Sequence, residues 1–228
     1  MANDDDLGVE RRGAAQADRE VRVIVITGAG EKAFCAGADL QSAQAFTTDY
    51  SDPTGHFARL LRRARASHVP LVARVNGACV AGGMGLLAMC DLAVAARHAS
   101  FGLPEVKVGV FPAQVLTVLQ HLLPRRQLAE LCLTGESITS AQALEIGLVN
   151  YVDDDVDQRL DWLLARLVDK SPAAIRRGLY TLKAIDTMAF EESMAFTESQ
   201  IALFTLTEDA KEGQAAFQDK RKPQWKGR

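Results

Sequence analysis

The sequence predicts an α/β protein whose C-terminal part is all helix. Three observations carry this. β-branched runs such as Val21–Ile26 and Leu71–Val75 end in glycine-bearing turns. Segments with helical spacing of apolar residues lie between those runs. From Asp157 onward the strand signal vanishes and helical periodicity takes over.

Residues 1–20 are polar and show no apolar period, so they read as an irregular lead-in. Val21–Ile26 is a buried strand closed by Thr27-Gly28. His56–Ala66 reads as a helix with Phe57, Leu60 and Leu61 on one side and Arg59, Arg62, Arg63 and Arg65 mostly on the other. Pro70 opens a second strand, Leu71–Val75, which stops at Asn76-Gly77. Gly83–Met89 forms a helix, Leu92–Ala96 a third strand and Ser100–Gly102 a short extended piece. Val115–Leu123 is an apolar helix ended by Pro124. Arg125–Leu133 and Ser140–Ile146 are helices, the second stopped by Gly147. Leu148–Val152 is a strand. Residues 157–169, 172–185, 188–206 and 208–221 are helices, with Ser171-Pro172 and Thr207-Glu208 as starts. The expected organisation is a lead-in over 1–20, an α/β core over 21–156 and a helical region over 157–228.

Composition narrows the function. The 228 residues are 48% apolar and 24% charged, ordinary for a soluble globular chain large enough to bury a core. A net charge of −3 favours neither nucleic acid nor an anionic membrane as partner. The longest run without a strongly polar residue, Gly77–Cys90, is short of the roughly 20 residues that span a bilayer. The N-terminus is acidic where a signal peptide needs positive charge, so a cytoplasmic location is expected. Cys35, Cys79, Cys90 and Cys132 lie in apolar segments without a C-x-x-C pair and read as buried thiols. His56, His68, His98 and His121 show no metal spacing, and no metal is expected.

Two glycine-bearing strand ends hold the chemistry. Cys35-Ala36-Gly37-Ala38-Asp39 and Ala81-Gly82-Gly83-Met84-Gly85 each offer backbone N–H groups free of bulky side chains, and Pro104-Glu105 then adds a carboxylate. Two converging N–H groups can hold an oxyanion, and a nearby carboxylate can move a proton on and off the adjoining carbon. Taken singly, the glycine runs read as a tight turn and as close helix–strand packing, and Glu105 reads as a helix-start carboxylate. In this order they describe stabilisation of an enolate. Gly28-Ala29-Gly30-Glu31-Lys32-Ala33 also fits G-x-G-x-x-[GA], but Gly37 interrupts the helix that a dinucleotide site needs.

The stretches VRVIVITGAGEKAFCAGADL, PLVARVNGACVAGGMGLLAMCDLAVAA, FGLPEVKVGV, LTGESITSAQALEIGLV and EDAKEGQAAFQDKRKPQW resemble the crotonase (enoyl-CoA hydratase/isomerase) superfamily, in family order and spacing. The resemblance implies a ββα-spiral core, a helical C-terminal trimerisation region and a homotrimer or dimer of trimers. It implies an acyl-CoA thioester as substrate and no further cofactor. By motif, Ala36 and Gly82 would supply the oxyanion N–H groups and Glu105 the catalytic carboxylate. Ala38, Asp39 and Gly83 would lie along the substrate, and Phe217 and Lys220 near the CoA nucleotide.

This chain departs from the family pattern twice. Two-glutamate hydratases carry their other catalytic glutamate where this chain has Gly85, while Δ3,Δ2-enoyl-CoA isomerases work with one. Double-bond isomerisation is therefore the expected reaction, with 2-enoyl-CoA hydration as the alternative. Residues 1–20 do not match the family's N-terminal hairpin and helix, which keeps a non-catalytic acyl-CoA-binding homologue as a further reading.

Overall fold

The computed structural model describes residues 18–37, 51 and 54–228. The expected lead-in over 1–20 and the turn into Asp39 fall largely outside the described residues. The described residues fall into two compact units, one within residues 1–24, 65–70 and 163–228, the other within residues 25–64 and 71–162.

The second of these holds two four-stranded sheets. One has the order β1 (Ile24–Thr27), β3 (Leu71–Val75), β5 (Leu92–Ala96), β8 (Tyr151–Asp153). β3 pairs parallel with β5, from Val72 opposite Leu92 to Val75 opposite Ala95, and β5 pairs parallel with β8. Leu71, Val72, Ala73, Val75, Val94 and Ala95 are fully buried, as strands of a covered parallel sheet require.

The other sheet has the order β2 (Ala33–Cys35), β4 (Ala78–Val80), β6 (Ser100–Gly102), β7 (Ile138–Thr139). β2 and β4 are parallel, β4 and β6 are parallel, and β7 runs antiparallel to β6. Most of these strands are too short to leave a periodic signature, so the sequence analysis did not separate β2, β4 and β7. The buried side chain of Asn76 aligns the two sheets locally. Its Nδ2 donates to the carbonyls of Gly30 (2.8 Å) and Ala33 (3.1 Å), and its Oδ1 accepts from the Gly28 N–H (3.1 Å). This amide fixes how the chain leaves β1 and enters β2. Residues 28–32 thus turn directly into a strand, and no helix follows Gly30 to support a dinucleotide reading.

Helix α1 (His56–Arg65) and α2 (Gly82–Ala88) flank the sheets in sequence as expected. Pro104–Val108 is a 3-10 helix. The apolar run from Val115 yields only the single turn α3 (Leu116–Leu119). α4 (Arg125–Thr134) and α5 (Ser140–Glu145) follow, α5 closed by a Thr139–Gln142 capping box. The strand expected at Leu148 begins only at Tyr151. The N–H groups of Leu148 and Val149 return to the Ala143 carbonyl and so cannot join the ladder, although both side chains are buried.

The division between the units falls within α6 (Val156–Val168). The helical unit contains α7 (Pro172–Ile185), α8 (Phe190–Thr205) and α9 (Glu208–Gln218). The Ser171 and Thr207 hydroxyls accept from the N–H groups of Ala174 and Ala210, so both caps act as the sequence indicates. Asp209, 1% exposed, ties this unit together. Its carboxylate accepts from Ser171 Oγ (2.7 Å) and from the N–H groups of Ala173, Lys226 and Gly227.

Candidate active site

Three parallel strands, β2, β4 and β6, end at the same edge of the second sheet, with Cys35 opposite Cys79 and Val80 opposite Gly102. Ala36 follows β2, Gly82 follows β4 as the first residue of α2, and Glu105 follows β6 in the 3-10 helix. The carboxyl ends of parallel strands are where α/β sheets place their ligand crevices. Topology alone therefore gathers the three residues that the sequence singled out for catalysis.

The two loops that carry N–H groups are pressed together. A Cβ at Gly83 would stand 2.6 Å from the Cys35 carbonyl oxygen. Gly37, at φ +84°, lies so near the Ala81 methyl that a Cβ there would be 2.8 Å from it. Ala81 adopts φ 51° and ψ −123°, a conformation natural to glycine and strained for alanine. Its N–H donates to the Gly102 carbonyl on β6 (3.0 Å), and its carbonyl accepts from the Met84 N–H on α2 (3.0 Å). The peptides on either side of Ala81 are thereby each held, the 80–81 peptide through its N–H and the 81–82 peptide through its C=O. With its C=O turned toward the first turn of α2, trans planarity turns the Gly82 N–H the opposite way. Among the described residues no acceptor bonds the N–H of Ala36 or Gly82, and nothing lies within 4 Å of a Cβ built on Gly82.

Pro104 opens the 3-10 helix that presents Glu105, and Gly109 in the left-handed region closes it. Glu105 is half-buried. Its Oε2 is buried and, among the described residues, has no hydrogen-bond partner. Burial pushes the carboxyl above its ordinary range, against the opposing pull of its own backbone N–H. The Cys132 thiol on α4 is likewise pushed up by burial and then by the nearby Glu105 charge. On the outer side of the same short helix Lys107 pairs with Glu136 (2.8 Å).

Gly83 lies with Ala36 and Gly82 in this cluster. Ala38 and Asp39 lie outside the described residues. Phe217 and Lys220 belong to the helical unit: Phe217 is 87% exposed at the end of α9, and Lys220 at φ 54° turns the chain after it. Sequence reasoning passed over Asn76 and Ala81. Asn76-Gly77 was legible only as a turn, and an alanine gives no sign of positive φ.

Two largely parallel sheets, with two unbonded main-chain N–H groups and one half-buried carboxylate following strands that end at one edge, make this an α/β protein with a candidate ligand site at that edge. The family model described as "Enoyl-CoA hydratase/isomerase" matches residues 13–228, starting inside the stretch read as a lead-in. The carnitinyl-CoA dehydratase of Salmonella typhi is 36% identical over 219 residues, covering 92% of this chain and 84% of that protein. The crystal structure of an enoyl-CoA hydratase from Mycobacterium smegmatis superposes with a TM-score of 0.91 at 31% identity, covering 97% of this chain and 87% of the other. An enoyl-CoA hydratase/carnithine racemase from Magnetospirillum magneticum gives a TM-score of 0.85 at 29% identity, over 96% and 84%. The chain belongs to the enoyl-CoA hydratase/isomerase family of the crotonase superfamily, and its fold is the one that resemblance implied. It is an enzyme of that family. Among the described residues no helix is long and apolar enough to cross a membrane, and no cluster of His, Cys, Asp or Glu could hold a metal.

Proposed function

We propose that the protein is an acyl-CoA double-bond isomerase. The N–H groups of Ala36 and Gly82 hold the thioester oxygen, and Glu105 alone moves the proton. The Glu105 carboxylate takes a proton from C2 of a 3-enoyl-CoA. The electron pair spreads into a dienolate whose oxygen is held by the two amides. The protonated Glu105 then returns the proton to C4, which leaves the 2-enoyl thioester with no atom added or lost. The observation that carries the reading is a buried carboxylate oxygen on the same sheet edge as two main-chain N–H groups, all three without a hydrogen-bond partner among the described residues. A base with a raised pKa and a donor pair preorganised by packing are what this chemistry asks for.

Conversion of 3-enoyl-CoA to 2-enoyl-CoA, followed by absorbance, tests the proposal. Glu105→Gln is expected to lose about 10²–10⁴-fold in turnover while remaining folded. A Gln variant as active as the wild type on every thioester tried removes Glu105 as the base.

Reversible hydration is the second reading, and the carnitinyl-CoA dehydratase relatives favour it. It would use the same two donors and the same Glu105, with water adding oxygen at C3 and a proton at C2. Product analysis on 2-enoyl-CoA separates the two readings.

Ala38, Asp39 and Gly83 are proposed to line the acyl-thioester path, and Phe217 and Lys220 to meet the CoA nucleotide. The support is their place in the family motifs and, for Phe217, an aromatic face left in solvent. Residues 157–228 are proposed to build a homotrimer or a dimer of trimers. Leu182, Phe190, Ile201 and Leu206 in that region are each more than 60% exposed, which is costly unless a partner covers them. A cytoplasmic location accords with four cysteines that form no disulfide.

A further inference from the structure

We propose that Phe57, backed by Val115, sets the reaction specificity of the site. Its ring fills the position from which a second carboxylate would activate water, and so confines the chemistry to proton transfer by Glu105. The inference rests on the reading of Glu105 and the two donors given above.

Gly82 and Gly85 lie one turn apart on α2, so their Cα–Cβ directions share a face of the helix. Their surroundings differ. Nothing among the described residues stands within 4 Å of a Cβ at Gly82. A Cβ at Gly85 would be 2.7 Å from Phe57 Cζ, 3.3 Å from Phe57 Cε1 and 2.9 Å from Val115 Cγ1. Gly85 is buried, Val115 is 4% exposed, and Phe57 packs against the same apolar cluster. Two side chains from different segments, α1 and the residue preceding α3, have thus converged on one missing side chain. The glycine is not a gap awaiting a water molecule. Its place is taken by an aromatic ring and a methyl group.

The chemical consequence follows from what those groups lack. Hydration adds oxygen to C3 and a proton to C2, and the second proton of the attacking water must pass to a base. Phe57 and Val115 offer neither an acceptor for that proton nor a hydrogen bond to fix the water. A carboxylate introduced at position 85 meets the ring before it meets substrate. Isomerisation needs no such group, since the proton leaves and returns through Glu105. Phe57 therefore acts by exclusion, and a gain of function is its appropriate test.

Wild type, Gly85→Glu, Phe57→Ala and the double variant Phe57→Ala/Gly85→Glu are compared on 2-enoyl-CoA for hydration, with deuterium exchange at C2 of a saturated acyl-CoA measured in parallel. Thermal unfolding establishes that each variant is folded. The double variant is expected to hydrate at least ten times faster than either single variant, and Gly85→Glu alone to melt at a lower temperature without gaining hydration. Hydration by Gly85→Glu equal to that of the double variant overturns the proposal, because the ring then excludes nothing. A folded double variant that exchanges deuterium yet gains no hydration also overturns it. Exchange by wild type no faster than by Glu105→Gln is a different failure. It removes the Glu105 reading and this inference falls with it.

Discussion

Ala81→Gly should raise the stability of the protein, and the size of the gain follows from the backbone. At φ 51° and ψ −123°, Ala81 occupies a region that costs a residue with a Cβ about 1–3 kcal/mol. Glycine relieves that strain but gives the unfolded chain more freedom, which returns about 0.4–1 kcal/mol. The lost methyl is half-buried against Gly37, so its removal forfeits about half of the roughly 0.8 kcal/mol of a fully buried group. Central values leave a net gain of about 1 kcal/mol, or about 2–4 °C in Tm for a chain of this length. Differential scanning calorimetry reads this directly. Gly82→Ala is the companion variant. It adds a methyl to a helical residue outside the left-handed region, and among the described residues that methyl meets nothing. It should not lower Tm, yet it should reduce isomerase turnover at least tenfold, because the methyl stands beside the proposed donor. If Ala81→Gly melts at or below the wild-type temperature, strain is not stored at residue 81. The account of how the 81–82 peptide is aimed then fails.

The remaining predictions concern charge and buried hydrogen bonds. Burial raises the Glu105 pKa, and a base works deprotonated, so kcat/KM should be complete at high pH and lost as pH falls through a value above the ordinary carboxylate range. An acid limb at or below about pH 4.3, the reference value for glutamate, would contradict the burial of Oε2. The same sign makes Glu105→Gln more stable than wild type at neutral pH, an advantage that should shrink as pH falls through the folded-state pKa. Asp209 behaves oppositely. Burial pushes its carboxyl up, but Ser171 and the Lys226, Ala173 and Gly227 N–H groups outweigh burial and lower it. Its contribution is therefore present above the unfolded-state pKa and lost as pH drops through the folded-state value. Asp209→Ala should destabilise by about 3 kcal/mol or more, measured by urea unfolding, because four donors lose their acceptor. Asn76→Ala should cost about 2–4 kcal/mol by the same assay, since the Gly30 and Ala33 carbonyls lose their donor. A loss below about 0.5 kcal/mol would show that the β1–β2 turn is held by something else.

The legible parts of this fold were the ones with period and punctuation. Leu71–Val75 and Leu92–Ala96 are apolar apart from Arg74 and bounded by turns, and they form the centre of a parallel sheet as read. The Ser171 and Thr207 caps marked two helix starts to the residue. The second sheet was hidden because Ala33–Cys35 and Ala78–Val80 are too short to show alternation. That sheet is the one that gathers Ala36, Gly82 and Glu105. These residues were legible as chemistry, through missing side chains and one carboxylate, although the strands that converge them were not. Phe57 was placed correctly on the apolar side of its helix. That this side meets Gly85 depends on a long-range packing choice, for which a single sequence carries no local signal.

The contrast between Gly82 and Gly85 links fold to chemistry. Both are glycines on the first turns of one short helix, and sequence alone offers the same reason for each: close approach. Packing separates them. At Gly82 the absence of a side chain leaves a main-chain N–H unobstructed beside Ala36, and the peptide that carries it is held through the Ala81 carbonyl, which accepts from the Met84 N–H on α2. At Gly85 the absence of a side chain is used by Phe57 and Val115, which extend the apolar core to the edge of the site. Small residues therefore serve opposite ends within one helical turn, exposing a polar group at one position and sealing an apolar wall at the other. The carboxylate of Glu105 is left with an unpaired, desolvated oxygen, which favours taking up a proton and holding it away from bulk water until it is returned. Under the proposed reading, a site with one such group and a sealed second position is suited to shifting a proton between carbons, and it is poorly suited to activating water.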